Sequence, residues 1–295
     1  MPHFLLTIDV EDWFQVENLR PWFPLESWPE QQLRIEQSTR TLLELLEHKK
    51  GIDGTPVQAT FFVLGWIARR MPSLVREIHA AGHEVASHGD NHQLCPDQPE
   101  QELRRDLARS KALLEDLLGQ KVDGYRAPSF SISMRTLELI REAGYSYDAS
   151  YNSFALHGRY GRVNKNGKSK KGIALDLGQG FFELPLSNLN MFGSCLPCCG
   201  GGYFRLLPAP LFKSGVRRIL SRHGAYHFYM HPWEVDPGQP RQSRIPALSR
   251  FKHYVNLHRT LPRLENLLDS FHHCRFTTCR DYLHYAAATQ AAQAQ

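Results

Sequence analysis

The sequence predicts one α/β domain in which a mostly parallel sheet curls into a distorted (β/α) barrel of about seven strands. Three observations carry that prediction. Short apolar runs alternate with amphipathic helical stretches along most of the chain, the pattern of a parallel sheet covered by helices. Seven or eight such runs suit a closed or nearly closed barrel better than an open sheet. Residues able to do chemistry fall just after the apolar runs, and a β/α barrel gathers its strand exits on one face. With 295 residues, 42% of them hydrophobic and 22% charged, the chain has enough apolar surface for such a core.

The elements follow in order. Residues 2–10 (PHFLLTIDV) form a compact apolar run that ends in acids. An aromatic, proline-containing loop over 13–29 brings Trp22, Phe23 and Trp28, as packing or as a surface on which sugars stack. Residues 34–48 space Ile35, Leu42 and Leu46 as a helix does, and a Gly51/Gly54/Pro56 break follows. A second strand spans 57–63, a helix 73–81 and a third strand 83–86, whose exit carries His88 and His92. Residues 100–118 read as a long amphipathic helix stopped by Gly119.

A fourth strand at 122–125 exits into Arg126, and after a helix at 134–143 a fifth near 145–147 exits at Asp148. The rhythm then lapses into a basic stretch at 158–172, a short strand at 181–186 and an irregular CLPCCGGG loop at 195–202. A helix at 210–222 precedes the strand AYHFYM (225–230), which exits into His231. A helix at 257–271, a closing strand at 274–278 and a short helix after it end the ordered chain. The expected layout is one domain over 1–285, with a core to about 235, an extension over 236–285 and a flexible tail over 286–295.

Composition excludes several classes. A net charge of +5, without basic stripes interleaved with aromatics, does not argue for nucleic acid. The N-terminus lacks a basic leader region and reaches Asp9, Glu11 and Asp12 early, so it does not read as a signal peptide. No apolar run is long enough to span a membrane. These features predict a cytoplasmic protein, with contact to a membrane surface left open, and six cysteines that stay reduced.

His88 and His92 stand four apart at a strand exit, a spacing that zinc sites use. A mononuclear hydrolytic site needs a third ligand, an open position for water, and a base and an acid nearby. Asp9, Glu11 and Asp12 offer more than one carboxylate, so one can bind metal while another takes a proton. His231 can protonate a leaving amine, Asp148 can orient it, and Arg126 can hold the base carboxylate. CLPCC has a C-x2-C pair without an evident fourth ligand, so Cys195, Cys198 and Cys199 read as buried thiols before they read as a second metal site.

These residues, in this order, resemble the polysaccharide deacetylases with the NodB-homology domain (carbohydrate esterase family 4). TIDVED at 7–12, HGDNH at 88–92, RAP at 126–128, Asp148, and MHPW at 230–233 look like its five motifs. The resemblance implies a distorted β/α barrel that removes N-acetyl groups from N-acetylglucosamine polymers with a divalent metal. It implies Asp9 as base, His88 and His92 as metal ligands, His231 as acid, Arg126 as tether of the base and Asp148 as partner of His231. Pro128 and Trp233 would wall the substrate pocket.

Val10 stands where the family commonly has a second aspartate, so the metal carboxylate is expected at Asp12, with Glu11 as the alternative. Zinc fits the set, and nickel, cobalt or iron would satisfy it too. The implied partner is a polysaccharide or lipid-linked glycan. The D-x-acid spacing also occurs among allantoinase-like enzymes, which act on small cyclic amides, and a carbohydrate-binding relative without activity is the third reading. Residues 241–283 are similar to a bacterial branch that sits with the exosortase (PEP-CTERM) system and its exopolysaccharide genes.

Overall fold

The computed structural model describes residues 1–154, 161, 163, 169–191 and 194–293. Its centre is β1 (His3–Val10), all eight residues of which are buried. β2 (Ala59–Val63), β3 (Glu84–Ser87), β4 (Gly124–Tyr125) and β5 (Tyr147–Asp148) follow it around the sheet. β6 (Lys170–Lys171) and β7 (Ala174–Gly178) form an antiparallel edge on β8 (Phe181–Glu183). β9 (Leu189–Met191) and β10 (Ser194–Leu196) make a separate hairpin, and β11 (Ala225–Met230) and β12 (Arg275–Phe276) both pair with β1.

The strands β11-β1-β2-β3-β4-β5-β8 pair in that order, each parallel to its neighbour. Past β8, the Ser187 N–H donates to His227 O (3.2 Å) and the His227 N–H to Ser187 Oγ (2.9 Å). Those two bonds bridge the ends of the path and curl the sheet into a distorted barrel.

Helices pack outside it: α1 (Ile35–His48), α2 (Gly65–Arg70), α3 (Pro72–Ala80), α4 (Glu100–Leu118) and α5 (Met134–Glu142) from the first half of the chain. From the second half come α6 (Gly201–Leu206), α7 (Ala209–His223), α8 (Ala247–Tyr254) and α9 (Leu257–Ser270), while α10 (Cys279–Gln293) closes one end of the barrel.

Alternation along β1 explains the layering, because successive side chains of a strand point to opposite faces. Phe4, Leu6, Ile8 and Val10 join the large core shared with the helices. Leu5 instead belongs to an inner cluster with Phe62, Ala86, Tyr147 and Ala225. Tyr282, Leu283 and Ala286 of α10 complete that inner cluster, so the last helix plugs the barrel floor. Its first N–H groups are met by the barrel itself: Cys279 N–H donates to Thr60 Oγ1 (2.9 Å) and Arg280 N–H to Glu84 Oε2 (3.1 Å).

Two expectations are corrected here. The stretch expected as a flexible tail is helical through Gln293, because Ala-rich sequence favours helix and Ala286 is buried against the floor. CLPCCGGG is not one irregular loop: its start lies in β10 and its glycines open α6. Much of the basic 158–172 stretch lies outside the described residues.

The aromatic loop serves mainly as packing. Trp13 and Trp28 are buried, and Trp28 meets Phe14 and Trp66 edge to face.

Candidate active site

β3 delivers His88, and the chain then turns through Gly89 at φ 78°. Only glycine is comfortable there, and a Cβ would also press on Asp106 Oδ1 at 3.1 Å. The turn brings His92, itself at φ 52°, back beside His88, with ring centroids 5.3 Å apart. After β1, the Glu11 N–H folds back onto Asp9 O (2.9 Å). Glu11 Oε1 then lies 3.0 Å from the Nε2 atoms of both His88 and His92.

Of the two carboxylates expected as candidates, the structure sets the alternative, Glu11, against the histidines. Asp12 faces the other way, accepting from Trp13 N–H with Oδ1 and from the Arg34 and Ile35 N–H groups with Oδ2 (2.7 and 3.0 Å). It caps α1 across the intervening loop, as carboxylates do at helix N-termini. Burial pushes Asp12 up to about 6 against those three N–H donors.

The Glu11, His88 and His92 donor set fits a divalent cation. His88 Nδ1 lies 2.8 Å from Arg126 O, so its proton sits there and its Nε2 lone pair faces the Glu11 carboxylate. A ring nitrogen whose partner nitrogen donates to a backbone carbonyl is the usual arrangement of a metal-ligating histidine. Lone pairs converging in a buried space call for a positive species between them.

Beside this triad, Asp9 Oδ1 accepts from Arg126 Nη1 at 2.6 Å. Arg126 is 0% exposed, and its other donors are also used: Nε to Ala149 O (2.9 Å), Nη1 to Thr7 Oγ1 (2.8 Å) and Nη2 to His227 Nε2 (2.9 Å). Burial and the Arg126 charge hold His227 well below its ordinary value, which keeps that nitrogen an acceptor. The arginine crosses the barrel interior and fixes Asp9 at the cleft.

His231 follows β11. Its Nε2 lies 3.7 Å from Glu11 Oε1, and its Nδ1 lies 2.9 Å from Glu234 Oε1. Burial lowers its pKa, but Glu11, Glu234 and Asp9 together push it up to about 9. The expected pairing with Asp148 is corrected. Asp148 accepts instead from Ser150 N–H (3.0 Å) and Ser150 Oγ (2.8 Å). Burial pushes Asp148 up, and burial together with the Asp148 charge pushes Glu183 well above the usual carboxylate range. The two residues are register partners on the paired strands β5 and β8.

Asp9, Glu11, His92 and His231 open into one cleft of about 340 Å³. Trp233 lines it, stacked on His231 with centroids 5.3 Å apart. Pro128 is buried behind the wall, and its neighbours Ser129 and Phe130 line the cleft instead, both at positive φ (49° and 59°). The far wall is apolar: Leu206 from α6, with Leu248 and Phe251 from α8.

Residues 29–147 match the polysaccharide deacetylase family, and residues 149–284 match a domain of unknown function, DUF3473. Over residues 29–147 the chain is therefore similar to polysaccharide deacetylases.

A peptidoglycan-N-acetylglucosamine deacetylase of Bacillus cereus is 29% identical over 107 residues, which are 36% of this chain and 47% of that protein. A peptidoglycan deacetylase of Helicobacter pylori is 34% identical over 98 residues, 32% of this chain and 33% of that protein. The chain therefore covers between a third and a half of the length of these two curated relatives. The fold is shared with a Mycobacterium smegmatis protein assigned as a polysaccharide deacetylase, at a TM-score of 0.64, 20% identity, and 98% and 91% coverage of the two chains. It is also shared with PuuE allantoinase, at a TM-score of 0.59, 15% identity, and 97% and 90% coverage.

The deacetylase match supplies His88, His92 and Arg126, but Asp9 and Glu11 precede it and His231 follows it. Glu234, the Arg205 that donates to its Oε2 (2.7 Å), the cleft-lining Tyr229 and the α8 wall were not foreseen. Glu234 had a signal in HPWE, because an acid three residues after a cap position reaches back to it. Arg205 and α8 had none, lying far from the motifs in sequence. Cys198 and Cys199 reach Phe212 O (3.7 Å) and Asn188 Oδ1 (3.1 Å), and burial raises both thiols, Cys198 to about 12.

Proposed function

We propose that this protein is a metal-dependent hydrolase that removes N-acetyl groups from an N-acetylhexosamine-containing polysaccharide. The observation that carries the reading is convergence: Glu11 with His88 and His92, Asp9 on Arg126, and His231 on Glu234 all meet in one cleft. A base, an acid and a two-imidazole, one-carboxylate donor set are what metal-assisted amide hydrolysis requires. No part of that machinery is missing, which speaks against an inactive binding relative.

Glu11, His88 and His92 would hold the cation, with zinc the preferred ion for such a set. A bound divalent ion supplies a lowered pKa for water and polarisation of the acetamide carbonyl. Asp9, oriented by Arg126, takes the proton of the attacking water. His231 delivers a proton from Nε2 to the sugar nitrogen as the C–N bond breaks, and acetate departs. A general acid of this kind contributes roughly 10²–10⁴-fold.

An extended substrate is favoured over a small cyclic amide by the open wall, where Leu206, Leu248 and Phe251 are 49%, 65% and 55% exposed. The similarity of residues 241–283 to the exosortase-associated branch makes an exopolysaccharide the preferred polymer. No helix among the described residues is long and apolar enough to cross a membrane.

The test is acetate release from N-acetylglucosamine oligomers by metal-loaded protein, beside His231→Ala. No release by the wild type, or release that His231→Ala leaves unchanged, would sink this reading.

A further inference from the structure

We propose that Glu234, clamped by Arg205, is the positioning residue for His231, and that residues 149–284 thereby complete the acid half of the site. The inference rests on the deacetylase reading above. It gives the domain of unknown function a defined task and replaces Asp148 in the role that the motifs had assigned to it.

Both oxygens of Glu234 are committed. Oε1 accepts from the His231 N–H (3.0 Å) and lies 2.9 Å from His231 Nδ1, while Oε2 accepts from Arg205 Nε (2.7 Å). With its proton held on Nδ1 by a carboxylate, the imidazole turns Nε2 toward the cleft. That is the tautomer and orientation an acid at Nε2 needs before and after it gives up its proton. A Cβ at Gly201 would collide with the Glu234 carboxylate, so the start of α6 is shaped around this contact.

Arg205 is 2% exposed and is spent entirely on the network. Its Nη1 donates to His253 O (2.8 Å) and Val255 O (2.9 Å), and its Nη2 to Lys252 O (3.2 Å). Those carbonyls belong to the end of α8, where an α-helix leaves acceptors unpaired and carries partial negative charge. One guanidinium therefore caps the cleft wall and grips the partner of the acid. Arg205 is itself held in place: Arg263 Nη1 and Asn256 Nδ2 both donate to its carbonyl oxygen (2.7 and 2.9 Å).

Packing fixes what hydrogen bonding leaves free. Trp233 is stacked between His231 and His253, at 5.3 Å and 25° on one face and 4.4 Å and 15° on the other. The imidazole is thus set in plane by Glu234 and in tilt by Trp233. Asp148, occupied by Ser150 and Glu183, has no share in this.

In the step served, the proton on His231 Nε2 moves to the amide nitrogen as the C–N bond breaks. The bonding electron pair stays on nitrogen, and the imidazole is left neutral with Nδ1–H on Glu234. Positioning for that step should matter only where the leaving group needs a proton. A sugar amine does, whereas the 4-nitrophenolate of 4-nitrophenyl acetate leaves without one.

The experiment compares wild type, Glu234→Gln and Glu234→Asp on N-acetylglucosamine oligomers and on 4-nitrophenyl acetate, with bound metal measured in each. Glu234→Asp keeps the charge facing Arg205 and guards against a Glu234→Gln that fails to fold. The expected result is a loss in kcat of ten- to a hundredfold on the oligomers, with KM within about twofold and with ester hydrolysis and metal content unchanged. Equal losses on both substrates, no loss on either, or amide-selective loss in Asp148→Asn instead would overturn the inference alone. A wild type that hydrolyses the ester but releases no acetate from the oligomers would overturn the deacetylase reading, and this inference with it.

Discussion

At the residue scale, neighbouring acids divide sharply in duty. Glu11 faces two imidazoles while Asp12, one residue on, caps α1. On the proposed metal reading, replacing Glu11 by Ala should abolish stoichiometric binding of an added divalent metal by the purified protein. Asp12→Ala should keep the metal and lose stability by about 1–2 kcal/mol, the usual cost of a lost cap, as read by urea unfolding. His83 allows a second test. Its Nδ1 accepts from the Ala59 N–H (3.3 Å), and burial lowers its pKa to about 4. Neutral His83 therefore contributes fully above pH 6.5. As the pH falls from 6.5 toward 4, the unfolded chain binds a proton that the folded one refuses, and that stability is lost. Relative to His83→Asn, the wild type should lose about 1.6 kcal/mol between pH 6.5 and 5.0, the slope rising toward roughly 1.4 kcal/mol per pH unit as the unfolded histidine becomes fully protonated. Parallel urea titrations of the two proteins at both pH values check it.

At the element scale, the strands were legible because burial on both faces demands nearly continuous apolar runs. HFLLTIDV and AYHFYM needed no tertiary information. What followed each strand was less legible, because alternation stops where the strand stops. The fold-back of the Glu11 N–H onto Asp9 O decides which acid faces the histidines, and nothing periodic records it. The last helix was under-read for a related reason. Its Ala-rich end shows no apolar stripe, and it stays helical because Tyr282, Leu283 and Ala286 plug the barrel. Tyr282→Ala should therefore cost about 3–5 kcal/mol, in the range of large aromatic-to-alanine changes in cores, and calorimetry should show a single transition shifted to lower temperature.

At the scale of the whole molecule, the site is a joint product of distant stretches. Asp9 and Glu11 come from the end of β1, His88 and His92 from the turn after β3, Arg126 from the end of β4, and His231 with Glu234 from the segment after β11. The outer wall comes from α6 and α8. If Phe251 on that wall only binds sugar, Phe251→Ser should raise KM for oligomers several-fold with kcat nearly unchanged, because binding lost equally from ground and transition states acts on KM. Steady-state kinetics on a series of chain lengths would show it, and a fall in kcat alone would contradict it. The sequence by itself determined the barrel, the strand exits and the residue types gathered there, since hydrophobic periodicity and motif spacing are local properties. Only the tertiary structure decided that Glu11 and not Asp12 faces His88 and His92, and that Glu234 and not Asp148 holds His231. Those choices depend on backbone turns after the strands and on a buried arginine 29 residues from its carboxylate partner, and no local pattern encodes either.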